Sequence, residues 1–181
     1  VRLAQKLKSH GYEFKLNFVG AGTMEEELHQ LVESLELTDN VCFLGSMPPE
    51  EVRKHMEEAG IYLFTSDRQE GWGAVLNESM NSGCAVVASH AIGSVPFLIN
   101  HKKNGLVYES ENVDDLFSKV KYLLDNHSEQ SRMGKAAYST ITEMWNAEIA
   151  AERFVKFIEE IQNQGFCDLY EDGPCSKAEI I

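Results

Sequence analysis

The 181-residue chain contains no apolar run near the ~18 residues that a membrane-spanning helix needs. Its first residues lack the charged and apolar regions of a secretory signal. Positive charge is scarce: 16 Lys and Arg stand against 29 Asp and Glu, a formal charge of −13. Nucleic acid is bound through clustered cations that neutralise phosphates, so this balance excludes that class of partner, and a dedicated anionic-lipid surface with it. The 4 cysteines form no CxxC pair. Cys42 and Cys84 lie inside the apolar runs VCFL and CAVV, while Cys167 and Cys175 have no histidine nearby. Free thiols and a reducing, cytoplasmic setting are expected. Histidines are scattered without metal-ligand spacing, and no GxSxG or Cys–His arrangement points to covalent hydrolysis.

What is present is a regular alternation. Short β-branched or aromatic runs occur at 15–20 (KLNFVG), 41–45 (VCFLG), 61–66 (IYLFTS), 84–89 (CAVVAS) and 105–108 (GLVY). Helical periods separate them. Residues 24–37 place Leu28, Leu31, Val32 and Leu35 on one face. Residues 49–59 open with Pro-Glu-Glu, suited to a first turn and its dipole. Residues 73–82 end at Gly83, a natural C-cap. From Val113 onward the pattern is helical only, over 113–126, 129–145 and 147–162.

Strands this short and continuously apolar are covered on both faces, and a helix after each makes the sheet parallel. The expected fold is α/β: a doubly wound parallel sheet with a helical C-terminal segment. Such sheets bind ligands at the carboxyl ends of their strands, here the loops after Gly20, Gly45, Ser66 and Ser89. Residues 1–165 would form this domain and 166–181, with Asp168, Glu171, Asp172 and Glu179, a loose acidic tail. Val1 already lies in a helical pattern, whereas doubly wound domains begin with a mid-sheet strand. The first strand is therefore expected to be missing. The strands at 15–20 and 61–66 would then pair directly, or leave a slot open to strand addition.

The most informative stretch is 65–89, TSDRQEGWGAVLNESMNSGCAVVAS. A strand ends at Ser66, a polar loop follows, and Glu70, Gly71, Trp72 and Gly73 stand at the mouth of a helix that carries Glu78. Glycines let backbone amides approach a ligand closely, and helix N-termini favour anions. Carboxylates at such a place are suited to accept hydrogen bonds from sugar hydroxyls. Gly20-Ala-Gly22 begins like a dinucleotide fingerprint, but its third position is Glu25 and no acid follows the 41–45 strand. It reads instead as a turn walling a nucleotide pocket. Arg68, the only cation of the Glu70 loop, reads as a surface residue, and His90 as incidental.

EGWGAVLNE resembles the Glu-x7-Glu motif of retaining nucleotide-sugar glycosyltransferases of group 1 (GT4). FVGAG, VCFLG, CAVVASHAIGSVPFLI and NGLVY resemble that family's flanking pieces in order and spacing. The resemblance implies the C-terminal, donor-binding half of a GT-B fold. Glu70 would contact the donor sugar near the reacting carbon and Glu78 would hold the ribose. The amides of Gly71, Trp72 and Gly73 would face sugar and diphosphate; Gly20 and Gly22 would wall the nucleotide, with Gly45 near the base. No cofactor or bound metal is implied, the substrate being a UDP- or GDP-sugar. The acceptor, a glycan or lipid-linked sugar, would be held by an N-terminal half. Peripheral membrane association of the full enzyme belongs to that picture.

Three departures accompany the resemblance. The family's opening strand with its Gly-Arg pair, and the lysine soon after it, are absent. The paired glycines after Ser89 read Ile92-Gly93-Ser94, and Phe97 stands where an acid is usual. The chain alone is thus expected to bind donor weakly and not turn over. Two alternatives stay open: a non-catalytic nucleotide-sugar-binding subunit that needs a partner, and a nucleotide-sugar epimerase of GT-B type.

Overall fold

The computed structural model describes residues 1–168 and 170–177. Along the chain run α1 (Arg2–Ser9), β1 (Leu16–Phe18), α2 (Glu25–Ser34), β2 (Val41–Phe43), α3 (Pro49–Glu58), β3 (Ile61–Phe64) and α4 (Val75–Asn81). There follow β4 (Ala85–Ser89), α5 (Val95–Leu98), β5 (Leu106–Tyr108), α6 (Val113–Asp125), α7 (His127–Glu143) and α8 (Ala147–Gln164). The alternation and the helical C-terminal segment are those expected. All strand pairs are parallel.

The strands form two sheets, β1-β2 and β3-β4-β5, rather than one. Of the two expected arrangements the slot is therefore realised, since β1 and β3 make no pairing. Central β4 is buried throughout, as a strand covered on both faces must be. On one face of the larger sheet Phe64, Val86 and Ala88 pack with Leu76 and Met80 of α4 and Ala137 and Ile141 of α7. On the other, Ala85, Val87 and Leu106 pack with Leu116, Val120 and Leu123 of α6. Helix α1 joins the two sheets: Leu3 and Leu7 enter the α6 cluster, while Ala4 packs with Val32, Leu37 and Val41 beside β1-β2.

Several expected boundaries shift for local reasons. Helix α4 starts at Val75 rather than Gly73, because Gly73 has φ +71°, which ends rather than begins right-handed helix. A Cβ at Gly73 would also lie 2.4 Å from the Phe64 ring. Helix α6 is capped by the Asn112 side chain, which accepts from the Asp115 amide at 2.9 Å. The apolar stripe of α8 is largely uncovered: Phe154, Val155, Ile158 and Ile161 are exposed and no residue of the helix is buried.

The segment expected to be loose is held down where it is described. Arg153 donates to the Pro174 carbonyl at 3.2 Å and lies 4.2 Å from the Tyr170 ring centroid. Glu179, counted among the tail acids, lies outside the described residues. No helix among the described residues is long and apolar enough to cross a membrane.

Candidate functional site

The loop leaving β3 is shaped by its own side chains. Asp67 Oδ1 accepts from the Gln69 amide at 2.8 Å, and the Glu70 amide donates to the Asp67 carbonyl at 3.1 Å. The loop then rests on the one leaving β4. The Gly93 amide donates to the Glu70 carbonyl at 3.3 Å, and the Gly71 carbonyl oxygen occupies the space a Gly93 Cβ would need, 1.8 Å from it. Only glycine permits that approach. Glu70 is thus fixed by contact between two strand-end loops.

Trp72 fastens the same loop from the other side. Its ring lies 5.6 Å from Phe97 and 5.6 Å from Trp145, and its Nε1 donates to Asn77 Oδ1 at 2.9 Å. Phe97, where the family pattern has an acid, is thereby part of an aromatic triangle with Trp145.

A cavity of about 1560 Å³ runs between β1 and β3, from Phe14 and Gly60 at their amino ends to Gly20 and Ser66 at their carboxyl ends. Glu70, half-buried, and Glu78, exposed on α4, both line it, and Gly20 does too. Gly22, Gly45, Gly71, Trp72 and Gly73 do not. Gly45 acts one step away: its carbonyl accepts from the Gly20 amide at 2.8 Å, both glycines having positive φ. The two glutamates and Gly20 thus line the same cavity, and Gly71 and Trp72 lie outside its lining. Arg68 and His90 stay outside; His90 Nδ1 accepts from the Ser110 amide at 3.0 Å.

Sequence reasoning missed Tyr62. It lines the cavity on β3, and its hydroxyl is pushed up to about 12 by burial first, then by the neighbouring Cys84, Glu78 and Glu70. Tyr62 consequently keeps its proton, a donor beside both carboxylates. Nothing local marks it, since Tyr62 reads as one aromatic in a strand. The Gly93–Gly71 approach was equally invisible, because it joins loops that follow different strands.

Charge in the cavity is lopsided. Glu13, Glu58, Asp67, Glu70, Glu78 and Glu111 are the acids among its lining residues, with Arg2 and Lys15 the Lys and Arg side chains. Among the described residues no three His, Cys, Asp or Glu side chains are grouped to hold a metal ion. All four cysteines are free thiols.

With that geometry in view, comparison with known proteins is informative. The family model described as glycosyl transferases group 1 matches residues 1–140. The chain belongs to the group 1 glycosyltransferases. It is 28% identical over 149 residues to a GDP-mannose-dependent α-(1-6)-phosphatidylinositol monomannoside mannosyltransferase of Mycobacterium tuberculosis, covering 79% of this chain and 38% of that relative. The crystal structure of a point mutant of S. aureus TarM in complex with fondaparinux, α-GlcNAc-glycerol and UDP shares the fold, with TM-score 0.78 and 24% identity over 86% of this chain and 31% of that chain. So does the C-terminal domain of a group 1 family protein (LpcC) from Francisella tularensis, with TM-score 0.65 and 19% identity, covering 80% of this chain and 93% of that domain. The chain is a group 1 glycosyltransferase segment of GT-B type, spanning less than half the length of the full-size relative described here.

Proposed function

We propose that this chain is the donor-binding half of a retaining glycosyltransferase that moves a hexose from a UDP- or GDP-sugar to a glycan or lipid-linked acceptor. The observation that carries it is that Glu70 and Glu78, from the loop after β3 and from α4, both line the cavity that reaches the carboxyl ends of β1 and β3. Open α/β sheets bind ligands at those ends. Glu70, held by the Gly93 contact, accepts hydrogen bonds from the donor sugar and favours positive charge at the anomeric carbon as the leaving diphosphate departs. Glu78, nearer solvent, accepts from the ribose hydroxyls. The Tyr62 hydroxyl donates within the same space. The GDP-mannose dependence of the mycobacterial relative and the UDP in the TarM complex keep both donor bases in view.

The test is kinetic and belongs in the full-length protein. Glu78→Ala should raise donor KM about 10- to 100-fold with little change in kcat, the worth of a charged hydrogen bond. Glu70→Ala should lower kcat about a hundredfold. Unaltered kinetics in both variants would remove the assignment. Product formation from donor alone, without acceptor, would replace it with epimerisation.

A further inference from the structure

His90 follows β4, half-buried and outside the cavity lining, yet it ties together two loops that shape the site. In a parallel ladder a residue donates its amide to the strand opposite, and its own carbonyl accepts from an amide two positions further along that strand. His90 makes the first of these bonds, donating its amide to Tyr108 O at 3.0 Å. The next rung would run from the Ser110 amide to the His90 carbonyl. It runs instead to the His90 side chain, whose Nδ1 accepts from the Ser110 amide at 3.0 Å. The imidazole thus stands in for its own carbonyl and closes the β4-β5 ladder. The main chain is then free to leave the sheet and turn through Ala91 and Ile92 to Gly93, which meets the Glu70 carbonyl. On the other side the rung holds the segment after β5, of which Ser110, Glu111 and Asn112 line the cavity with Glu70 and Glu78. That segment bends at Glu111, φ +65°, and its other ties are to itself and to α6: the Asn112 amide donates to Glu109 O at 3.0 Å and the Glu109 amide to Asp115 Oδ2 at 2.9 Å.

The geometry points to His90 as a positioning residue: its neutral imidazole holds the Ser110 wall of the cavity and the Gly93 turn behind Glu70 in register, and the site is competent only while Nδ1 carries no proton. A ring nitrogen that accepts a hydrogen bond has its lone pair free, which places the proton of the neutral ring on Nε2. Protonation makes both ring nitrogens donors and sets an N–H against the Ser110 N–H, so the rung breaks. Charged side chains on the segments that meet His90 are Glu109 and Glu111, which flank Ser110, and Asp115 of α6, paired with Lys119 at 2.9 Å. The loop that Gly93 touches adds Asp67, Arg68 and Glu70. Among the described residues His90 forms no ion pair with any of them, so the Ser110 amide decides its tautomer. His101 supplies an internal comparison. Its Nδ1 accepts from the Val107 amide at 2.9 Å in the same manner, but Val107 turns that amide away from β4 and lies outside the cavity. The kinetic consequence of the rung rests on the glycosyl-transfer reading; the rung itself does not.

Nuclear magnetic resonance of the present chain tests the rung without any variant. Near pH 7.5 the His90 ring should be the Nε2–H tautomer, and the protection factor of the Ser110 amide should fall about tenfold on acidification to about pH 5. His90→Asn puts a non-titrating carbonyl oxygen where Nδ1 stood and should keep that protection at both pH values, whereas His90→Ala should lose it at both. In the full-length protein kcat should fall about tenfold over the same interval. His90→Asn should remove that acid limb, and His101→Asn should leave it in place. An Nδ1–H tautomer, Ser110 protection that does not change with pH, or an acid limb that survives in His90→Asn would overturn the proposal. The resonance measurements need no activity, so they decide the rung even where the full-length protein transfers no sugar, a result that would count against the glycosyl-transfer reading instead.

Discussion

Gly93 is the position where a single methyl group should do most damage to the site. A Cβ there would sit 1.8 Å from the Gly71 carbonyl oxygen and 2.9 Å from its carbon, and backbone cannot swing aside as a side chain can. Gly93→Ala must therefore push the β3 and β4 loops apart by more than about 1 Å and break the 3.3 Å bond from the Gly93 amide to Glu70 O. Overpacking costs about 1–3 kcal/mol and the lost hydrogen bond about 1 more. At roughly 2–4 °C per kcal/mol for a domain of this size, the melting temperature should fall by about 4–16 °C. Displacing Glu70 by about 1 Å should also weaken catalysis about a hundredfold in the full-length protein. Gly22→Ala is the matched control, with nothing within 4 Å of its Cβ, and should stay within about 0.5 kcal/mol. Thermal denaturation followed by circular dichroism decides the case. A Gly93→Ala chain melting with the parent, or a Gly22→Ala chain equally destabilised, would refute the loop-on-loop account.

Other consequences are open to measurement. Ser94 Oγ is fully buried with no hydrogen-bond partner among the described residues, so Ser94→Ala should leave stability unchanged or raise it by up to about 1 kcal/mol. Both tryptophans belong to the Trp72–Phe97–Trp145 triangle, so nucleotide-sugar binding that moves the Glu70 loop should change intrinsic fluorescence, and Trp145→Phe should reduce that change. Cys84 is buried, donates to the Met56 carbonyl and has its thiol pushed up to about 11 by burial, so it should resist alkylation until the chain unfolds. Tyr62 ionises at about 12 when folded, above its ordinary 10, so stability should fall as pH rises from 10 towards 12, because the unfolded chain sheds that proton first. Tyr62→Phe should flatten that alkaline loss in pH-dependent denaturation.

Much of this was legible because it is local. The CAVVAS run is apolar at nearly every position, and β4 is buried at every one, so its central, doubly covered place could be read directly. The glycine-rich turn between Glu70 and Glu78 marked a stretch from which both side chains line the cavity. The separation of β1 from β3 was one of the two arrangements left open by the sequence. What sequence could not show depends on distant pieces meeting. Gly93 matters because it touches Gly71 across two loops, and Tyr62 because β3 carries it beside the carboxylates. Trp72 was placed in the site by its neighbours in sequence, yet its ring packs on Phe97 and Trp145 instead. The stripe of Phe154, Ile158 and Ile161 has the period of a core-facing helix and is exposed, since period reports that a face is apolar but not what covers it.

The division of labour between the two glutamates is tested most directly by calorimetric titration of the full-length protein with a nucleoside diphosphate and with the matching nucleotide sugar. Glu78→Gln should weaken both ligands by the same factor, because the ribose is common to them. Glu70→Gln should weaken the nucleotide sugar alone. Equal losses for both ligands in both variants, or none in either, would contradict the assignment of Glu70 to the sugar and Glu78 to the ribose.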